Sequence, residues 1–448
     1  MYLTDQPEAT FWQGAHNRCT SFTMESILQP IPSAGWGRPA SINLNRNGDM
    51  LYQQYLQVDL PGIKWTASGN NWATATHGSD PTCLDQATGN DCDCDDDQNG
   101  IQVSHADEDC LANTNYVHWT NAVGQYMIDS VHLLIGSNAA DTLWGDYLFV
   151  HEELSGKVGR RLLEMVGKRY TREELICDSQ QDRTLYIPLP WWFTMTSGSA
   201  LPICSLSFHT VSYTISLQEV TDCIVVHNAS SEDGAIKGVP CLCGTGQPVV
   251  RGMPVTISLL STYVYLDEAE RAQLTGSEKE QLMVQHQRIA FNDTTNALQL
   301  GFNHPVIELI WFLRRACNTR VNAHFNLAGT NNRDPIKAVS LAMNNQQRFG
   351  PSSASTLSEN ASYYRLVQPY QAHSCIPDTF VYCYSFALHP EDVSTPSGSA
   401  NFSRIDNVTF TVTPQDDIAG SGYEVVVFAT NWNVGRIEGG MFGVAYSS

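Results

Sequence analysis

The sequence predicts an all-β protein made of two consecutive eight-stranded sandwiches, with short helices only in loops and in a linker. Aromatic and branched residues are frequent, and Gly, Pro, Asn and Ser interrupt them about every ten residues, which is typical of many short strands. The chain has 448 residues, more than one ordinary hydrophobic core accommodates, so two large domains are the simplest division. Each half then contains enough strand-like segments for one sandwich.

The first half begins with strand-like alternation from Thr20 to Pro61. The tetrapeptide RNGD (46–49) divides this run, and Asn-Gly is the strongest short signal for a β-hairpin, so we predict paired antiparallel strands on its two sides. Further strand-like runs occupy 126–136, 183–220 and 255–271, and apolar residues at helical spacing between 143 and 175 predict helices.

A short helical linker is predicted at 267–285. Asp267 with Glu270, and Ser277 with Glu280, each have the spacing of a capping box, which satisfies free amide groups at a helix start. Strand-like segments resume after it and continue to the chain end, including LQLGFNHPVIELIWFLRR (298–315) and YEVVVFATNWNVGRIEGGMFGVAYS (423–447).

Charge and hydropathy exclude several classes of protein. The formal net charge is −21, and Lys and Arg do not form the continuous cationic surface that a nucleic-acid-binding protein needs, so we expect no direct nucleic-acid binding. No run of about 18 apolar residues predicts a transmembrane helix, and the N-terminal residues lack the pattern of a signal peptide. We therefore expect synthesis in the cytosol.

Residues 384–412 contain two strand-like ends and a centre rich in Pro, Ser and Gly. Ser399, His389 and Asp392 are near one another in sequence, but nothing in their spacing builds a nucleophile with an oriented base. We interpret the segment as a joint between strands, with Arg404 and Asp406 two apart on one face of the second strand, where a charge pair fixes register.

An acidic, cysteine-bearing insert spans about 66–115. Its Asp95, Asp97, Asn99 and Gly100 match the start of a calcium-binding loop, but the twelfth position is Ala106, and the nearby acids Asp107 and Glu108 miss it. A solvated acidic loop is the alternative. The insert also contains four cysteines and a histidine, which are Cys83, Cys92, Cys94, Cys110 and His105. They are compatible with two disulfides, with free thiols or with a zinc site.

Other candidate residues have structural interpretations. His304 is expected to be a hydrogen-bonded structural histidine, and Trp191 and Trp192 are expected to pack inside the protein, with a sugar-binding platform as the alternative. Cys204, Cys317 and Cys383 are in apolar runs typical of free buried thiols. Glycosylation motifs occur at Asn228, Asn292, Asn360, Asn401 and Asn407, but the motif alone predicts no modified site.

The order of these segments resembles the double jelly-roll major capsid proteins of large double-stranded DNA viruses, of the chlorella-virus-like and iridovirus-like group. The resemblance covers roughly three quarters of the chain and rests on ordered pieces that include TSFTMESI, NRNGD, LYIPLPWWF, YVYLDEAER, LGFNHPVIELIW, YYRLVQPYQAH, YSFALHPED and NWNVGRIEGGMFGVAYS. It is weakest in the insert at 66–115, which corresponds to a variable loop that helps build the outer tower of the capsomer.

The resemblance implies an N-terminal arm at 1–20, a first jelly roll at 21–266, the linker at 267–285 as the hinge, and a second jelly roll at 286–448. It implies a homotrimer that forms a pseudo-hexagonal capsomer of an icosahedral virion shell. The partners would be neighbouring capsomers, minor capsid and penton proteins, with the inner face near an internal membrane. We expect no enzymatic turnover, no cofactor, and no catalytic or metal-binding residue.

The rival hypothesis is a calcium-dependent carbohydrate-binding or carbohydrate-active β-sandwich protein. A glycosidase needs two carboxylates facing each other across a cleft, and the sequence does not exclude Glu152, Glu153 or Glu308 from that role.

Overall fold

The computed structural model describes residues 20–64, 73–74, 116–156, 161–227, 255–276, 278–292, 297–350, 360–418 and 422–446. In these ranges the first half of the chain contributes eight principal strands, which are β1 Phe22–Pro30, β2 Pro39–Asn43, β3 Met50–Leu60, β4 Ile128–Ile135, β5 Asn138–Trp144, β6 Arg183–Pro188, β7 Val211–Leu217 and β8 Thr256–Leu266. The second half contributes β9 Lys279–Asn292, β10 Leu298–Gln299, β11 Pro305–Arg315, β12 Ile336–Met343, β13 Gln346–Phe349, β14 Val381–Ser385, β15 Val408–Pro414 and β16 Tyr423–Glu438.

Short strands and helices fill the connections. The short strands are Ile63–Lys64, Ala73–Thr74, Tyr116–Trp119, Ile224–His227, Ala400–Asn401 and Met441–Val444. The α-helices are α1 Val123–Tyr126, α2 Gly145–Ser155, α3 Leu163–Val166, α4 Arg172–Ser179, α5 Trp192–Met195, α6 Glu268–Thr275, α7 Ala316–Arg320 and α8 Gln368–Ala372. A π-helical turn at Tyr363–Val367 precedes α8, and single 3₁₀ turns lie at Ser197–Ser199, Ile203–Ser205, Val220–Cys223, Thr330–Asn332 and Phe402–Arg404. No helix in the described ranges is long and apolar enough to cross a lipid bilayer.

The two halves have the same sheet topology. The first half forms one sheet in the order β1-β8-β3-β6 and a second in the order β2-β7-β4-β5. The second half forms β9-β16-β11-β14 and β10-β15-β12-β13, so adding eight to every label of the first half reproduces the second. All these pairings are antiparallel. Each half is therefore an eight-stranded jelly roll, and the predicted pair of consecutive rolls is confirmed.

The burial pattern shows which sheets are covered on both faces. In β7 and β15 every second side chain is buried, as expected for strands with one face against a core. In β11 all residues between Pro305 and Arg315 are buried. The sheet β9-β16-β11-β14 is thus enclosed on both faces at its central strands β11 and β16, while many residues of the edge strand β9 stay partly exposed.

A shared core explains this enclosure. Trp311 and Val427 point into the core of the second roll, while Ile310, Phe312 and Phe428 belong to the cluster that fills the first roll. Because the strand period is two, the same strands supply both cores with alternate side chains. The two rolls are therefore joined by continuous apolar packing.

The predicted hairpin at residues 46–49 is wrong. Strand β2 pairs with β7, whereas β3 pairs with β8 and β6 in the opposite sheet, so the RNGD segment crosses from one layer to the other. Asp49 sets this crossing: its carboxylate accepts a 2.9 Å hydrogen bond from the Leu266 amide and lies 3.0 Å from the Arg271 guanidinium. Its own amide donates to Val264 at 3.0 Å. These contacts anchor the start of β3 to β8.

We expect Asp49→Ala to lower the free energy of unfolding by about 1–3 kcal/mol, because the Leu266 amide loses its acceptor. Urea unfolding followed by tryptophan fluorescence measures the change. Asp49→Asn keeps an acceptor oxygen and should lose less than Asp49→Ala. Equal losses for the two variants would contradict the role of that hydrogen bond.

The helical linker is shorter than predicted. Helix α6 starts after Asp267, whose side chain accepts from the Glu268 amide, and it ends at Gly276. Residues 279–285, predicted to be helical, instead begin β9, which pairs with β16 along its whole length from Lys279 to Asn292. That continuous ladder outweighs the local capping propensity of Glu280. Ser277 lies outside the described residues.

The 384–412 segment also differs in detail from the prediction. Arg404 ends a 3₁₀ turn and Asp406 lies before β15, so the expected charge pair on one strand face is wrong. Strand pairing stops at Asn401 because Phe402 inserts into the core of the second roll and turns the chain.

Candidate functional site

The junction between the two rolls combines ion pairs, hydrogen bonds, ring stacking and a cavity. Helix α2 lies at its centre. Gly145 starts this helix where any side chain would collide with the carbonyl oxygens of Gln125 and Ile128. Seven of its eleven residues are buried, as expected for a helix packed between two other parts of the protein. Its buried residues include Tyr147, Phe149 and Leu154.

A buried ion cluster joins α2 to the second roll. The Arg314 guanidinium on β11 lies 2.5 Å from Asp146 and 3.4 Å from Glu424, and its Nε donates to the His324 carbonyl at 2.8 Å. Burial alone would lower the pKa of Arg314, but attraction by Asp146 and Glu424 outweighs it and raises that pKa. Burial likewise tends to raise the pKa of Asp146, and Arg314 with Arg288 holds it below its usual value. Arg314 and Asp146 are therefore both charged at neutral pH.

The loop after α7 attaches the second roll to the first by hydrogen bonds and ring stacking. The Asn322 side chain donates to the carbonyls of Thr221 and Ile224, both at 2.7 Å, from a left-handed backbone conformation that Asn tolerates well. The His324 ring stacks on Tyr126 with centroids 3.7 Å apart, and Phe325 stacks on Phe149 at 4.0 Å.

A cavity of about 400 Å³ lies within the junction. Tyr147, His151, His286, Glu308 and Glu391 line part of it. Both rolls contribute to this wall, because His151 belongs to α2 whereas His286 and Glu308 belong to β9 and β11.

Two buried histidines near this cavity contact carboxylates. His286 Nδ1 lies 2.8 Å from Asp141 of β5, so this contact also bridges the two rolls. His373 lies 2.9 Å from Glu308 and 3.1 Å from Glu391. Burial would lower the pKa of His373, but the two carboxylates raise it to about 12.

The remaining titratable groups of the cavity respond to the same environment. Burial lowers the pKa of His151 to about 4, so its ring is neutral at pH 7. Burial tends to raise the pKa of Glu391, but hydrogen bonds from His373 and Ser374 lower it to about 2. The cavity wall thus carries the neutral imidazole of His151 and the carboxylates of Glu308 and Glu391, both of which contact the His373 cation.

The carboxylates weighed for glycosidase chemistry are all engaged. Glu152 accepts from Gln125 at 2.8 Å and from the Leu162 amide at 3.0 Å, Glu153 pairs with Lys168, and Glu308 pairs with His373. Within the ranges that the structure describes, no group of three or more His, Cys, Asp or Glu side chains is placed to hold a metal ion.

The joint at 384–412 has the contacts of a turn. Asp392 accepts hydrogen bonds from the backbone amides of Ser394 and Thr395, and Ser397 exchanges hydrogen bonds with the backbone of His389. These bonds fold the chain back on itself locally. Ser399 takes part in none of them.

Other candidates from the sequence are located as follows. Trp191 and Trp192 are 0% and 1% exposed, so the sugar-platform alternative is wrong. Cys204, Cys317 and Cys383 are free thiols, of which Cys383 is fully buried. His304 donates its backbone amide to Ser403 at 2.8 Å.

The remaining candidates are those of the insert and the glycosylation motifs. The calcium and cysteine candidates of the insert, together with Asn228, lie outside the described residues. Among the other glycosylation motifs, the Asn360 amide is occupied by two hydrogen bonds, one to each backbone polar group of Val339. That side chain is therefore part of the fold.

Sequence reasoning missed the junction cluster. Asp141, Asp146, His286, Arg314 and His373 come from several distant segments of the chain, and no spacing in the sequence marks them as one cluster. The one usable signal is a charged residue inside an apolar strand, as Glu308 is in VIELIW, because such a residue needs a buried partner.

Comparison with known proteins places this fold in a family. A family model described as large eukaryotic DNA virus major capsid protein matches residues 270–443, and one described as major capsid protein N-terminus matches 10–90 and 94–267. The major capsid protein of Phaeocystis pouchetii virus is 25% identical over 569 residues, with 100% of this chain and 97% of the relative covered. That of Paramecium bursaria Chlorella virus 1 is 26% identical over 502 residues, with 100% and 97% covered.

A solved structure supports the same fold. The quasi-atomic model of the PBCV-1 virus capsid superposes with a TM-score of 0.70 and 22% identity, covering 98% of this chain and 100% of the other. Together the two family models span nearly the whole sequence. The chain therefore belongs to the family of major capsid proteins of large eukaryotic DNA viruses.

Proposed function

We propose that this chain is a structural major capsid protein whose homotrimers are pseudo-hexagonal capsomers tiling the icosahedral shell of a large DNA virus. The observation that carries this function is the repetition of one jelly-roll topology in two halves that share a core. Three copies arranged around a threefold axis then present six similar rolls, which form a six-sided block.

The proposal includes the finer assignments implied by the family resemblance. The first roll is 21–266, the second runs from 279, where β9 begins, to 448, and the arm at 1–20 contacts neighbours on the inner face. The partners are adjacent capsomers, minor capsid and penton proteins, with an internal membrane beneath, and the chain is made and assembled in the host cytoplasm. The role requires no turnover, in keeping with the hydrogen bonds that hold Glu152 and the ion pairs that hold Glu153 and Glu308.

Native mass spectrometry of the purified chain tests this function. We expect a stable trimer of about 150 kDa, three times the 49.6 kDa of one chain. Negative-stain images should show compact blocks with threefold symmetry. Single two-lobed particles under all salt and pH conditions would count against capsomer formation.

A further inference from the structure

The contact between the rolls within one chain suggests how two chains meet. Helix α2 belongs to the connection between β5 and β6 of the first roll. It covers the outer face of the sheet β9-β16-β11-β14, where Tyr147 lies 5.5 Å from Phe428 and Asp146 pairs with Arg314. The first roll thus covers a sheet of the second roll with helix α2.

The second roll has a helix in the equivalent connection, between β13 and β14. This segment runs through the π-helical turn and α8, and four of its apolar side chains are exposed, three on the π-helical turn and one on α8. They are Tyr363, Leu366, Val367 and Tyr370, exposed by 43%, 42%, 38% and 76%. We call these four residues the helix stripe.

The first roll has the complementary surface. The sheet equivalent to the one that α2 covers is β1-β8-β3-β6, and its outer face presents Phe22, Met24 and Leu28 of β1, each about half exposed. Their partners on β8 in the same rows are Leu266, Val264 and Leu260, all half-buried. We call these six residues the open sheet face. The equivalent face of the second roll, on the sheet β9-β16-β11-β14, is covered by α2. The open sheet face of the first roll has no such cover within the described residues of the chain.

We propose that the helix stripe of one copy covers the open sheet face of the next copy, repeating between chains the contact that α2 makes within a chain. This inference rests on the proposed trimer. A cyclic trimer needs two different patches on each copy, because its interface is heterologous. Neither patch contains a charged side chain, so chains with a net charge of −21 can approach there without like-charge repulsion.

Paired substitutions test the two patches separately. We expect Leu366→Asp with Tyr370→Asp, and Met24→Asp with Leu28→Asp, each to weaken the trimer at least about thirtyfold, the loss typical of central interface residues. The matched control is Phe208→Asp, which replaces a side chain exposed by 76%, as Tyr370 is, but outside both patches. Native mass spectra over a concentration series give trimer fractions, and circular dichroism verifies that each variant is folded.

A cross-link gives a second readout that does not depend on destabilising a variant. Benzoylphenylalanine in place of Tyr370, photolysed in a mixture of ¹⁴N- and ¹⁵N-labelled chains, should form mixed-isotope links to 22–30 or 256–266. Links confined to one chain, or to other segments, would overturn the inference. So would trimers of unchanged stability in both double variants, and the proposed function would then still stand. A wild-type chain that never trimerises would remove both.

Discussion

Replacing Arg314 with alanine is expected to lower the free energy of unfolding by about 3–5 kcal/mol, the cost of leaving a buried charge without its partner. Arg314 is 6% exposed, and its removal takes the nearer cation from Asp146 and leaves it the longer, 3.4 Å contact with Arg288. The His324 carbonyl also loses its donor. Chemical denaturation monitored by circular dichroism and by fluorescence measures the loss.

The control is Arg436→Ala. Arg436 forms an ion pair with Glu280 at 2.5 Å, which is as short as the contact of Arg314, but both partners are more than half exposed. Exposed pairs contribute little because water and salt screen them. We expect no measurable change from this variant, and comparable losses for the two arginines would disprove the importance of burial at the junction.

Acid is expected to destabilise the junction between pH 6.5 and about 4.5. Burial lowers the pKa of His151 to about 4, and burial followed by repulsion from Arg314 lowers the pKa of His324 as well, to about 3. A histidine whose folded pKa is depressed contributes stability that is present above about pH 6.5 and is lost as the pH falls toward the folded value. At about 1.4 kcal/mol per pH unit, each histidine removes roughly 2–3 kcal/mol by pH 4.5.

The measurement is the free energy of unfolding as a function of pH for the wild type, His151→Gln and His324→Gln. Each variant should lose less stability than the wild type over this window. The comparison with the wild type is needed because two carboxyl groups also respond to pH in this window. Burial raises the pKa values of Glu152 and Asp222, so their protonation stabilises the folded chain as the pH falls, equally in all three proteins. His373, with a pKa raised to about 12, contributes constant stability here. Parallel curves for wild type and variants would refute the prediction.

The architecture was predictable because strand periodicity is a local property. Runs such as VSYTISL and VTFTVTP carry their burial pattern in the letters, and both halves contain enough of them for a sandwich. The assignment of strands to layers was less accessible. Asn47-Gly48 has the composition of a hairpin turn, yet the contacts of Asp49 with Leu266 and Arg271 depend on residues more than two hundred positions away.

The same contrast holds for the linker and the junction. A helix starts after Asp267 as predicted, although Asp267 caps it through the Glu268 amide and not through a box with Glu270. No helix starts at Ser277 and Glu280, because β16 pairs with the chain from Lys279 onward. Glu308 was singled out as a carboxylate, and its partner His373 could not be found without the fold. Long-range partners decide such sites, and a single sequence does not contain them.

The sheet enclosed on both sides has a thermodynamic consequence. Removing the first roll would leave Ile310, Phe312 and Phe428 in water, so the second roll would lose much of the burial that holds its central strands together. The chain is consequently two domains in topology but a single cooperative unit in its melting. A proteolytic nick in the exposed helix α6 would leave the two fragments associated.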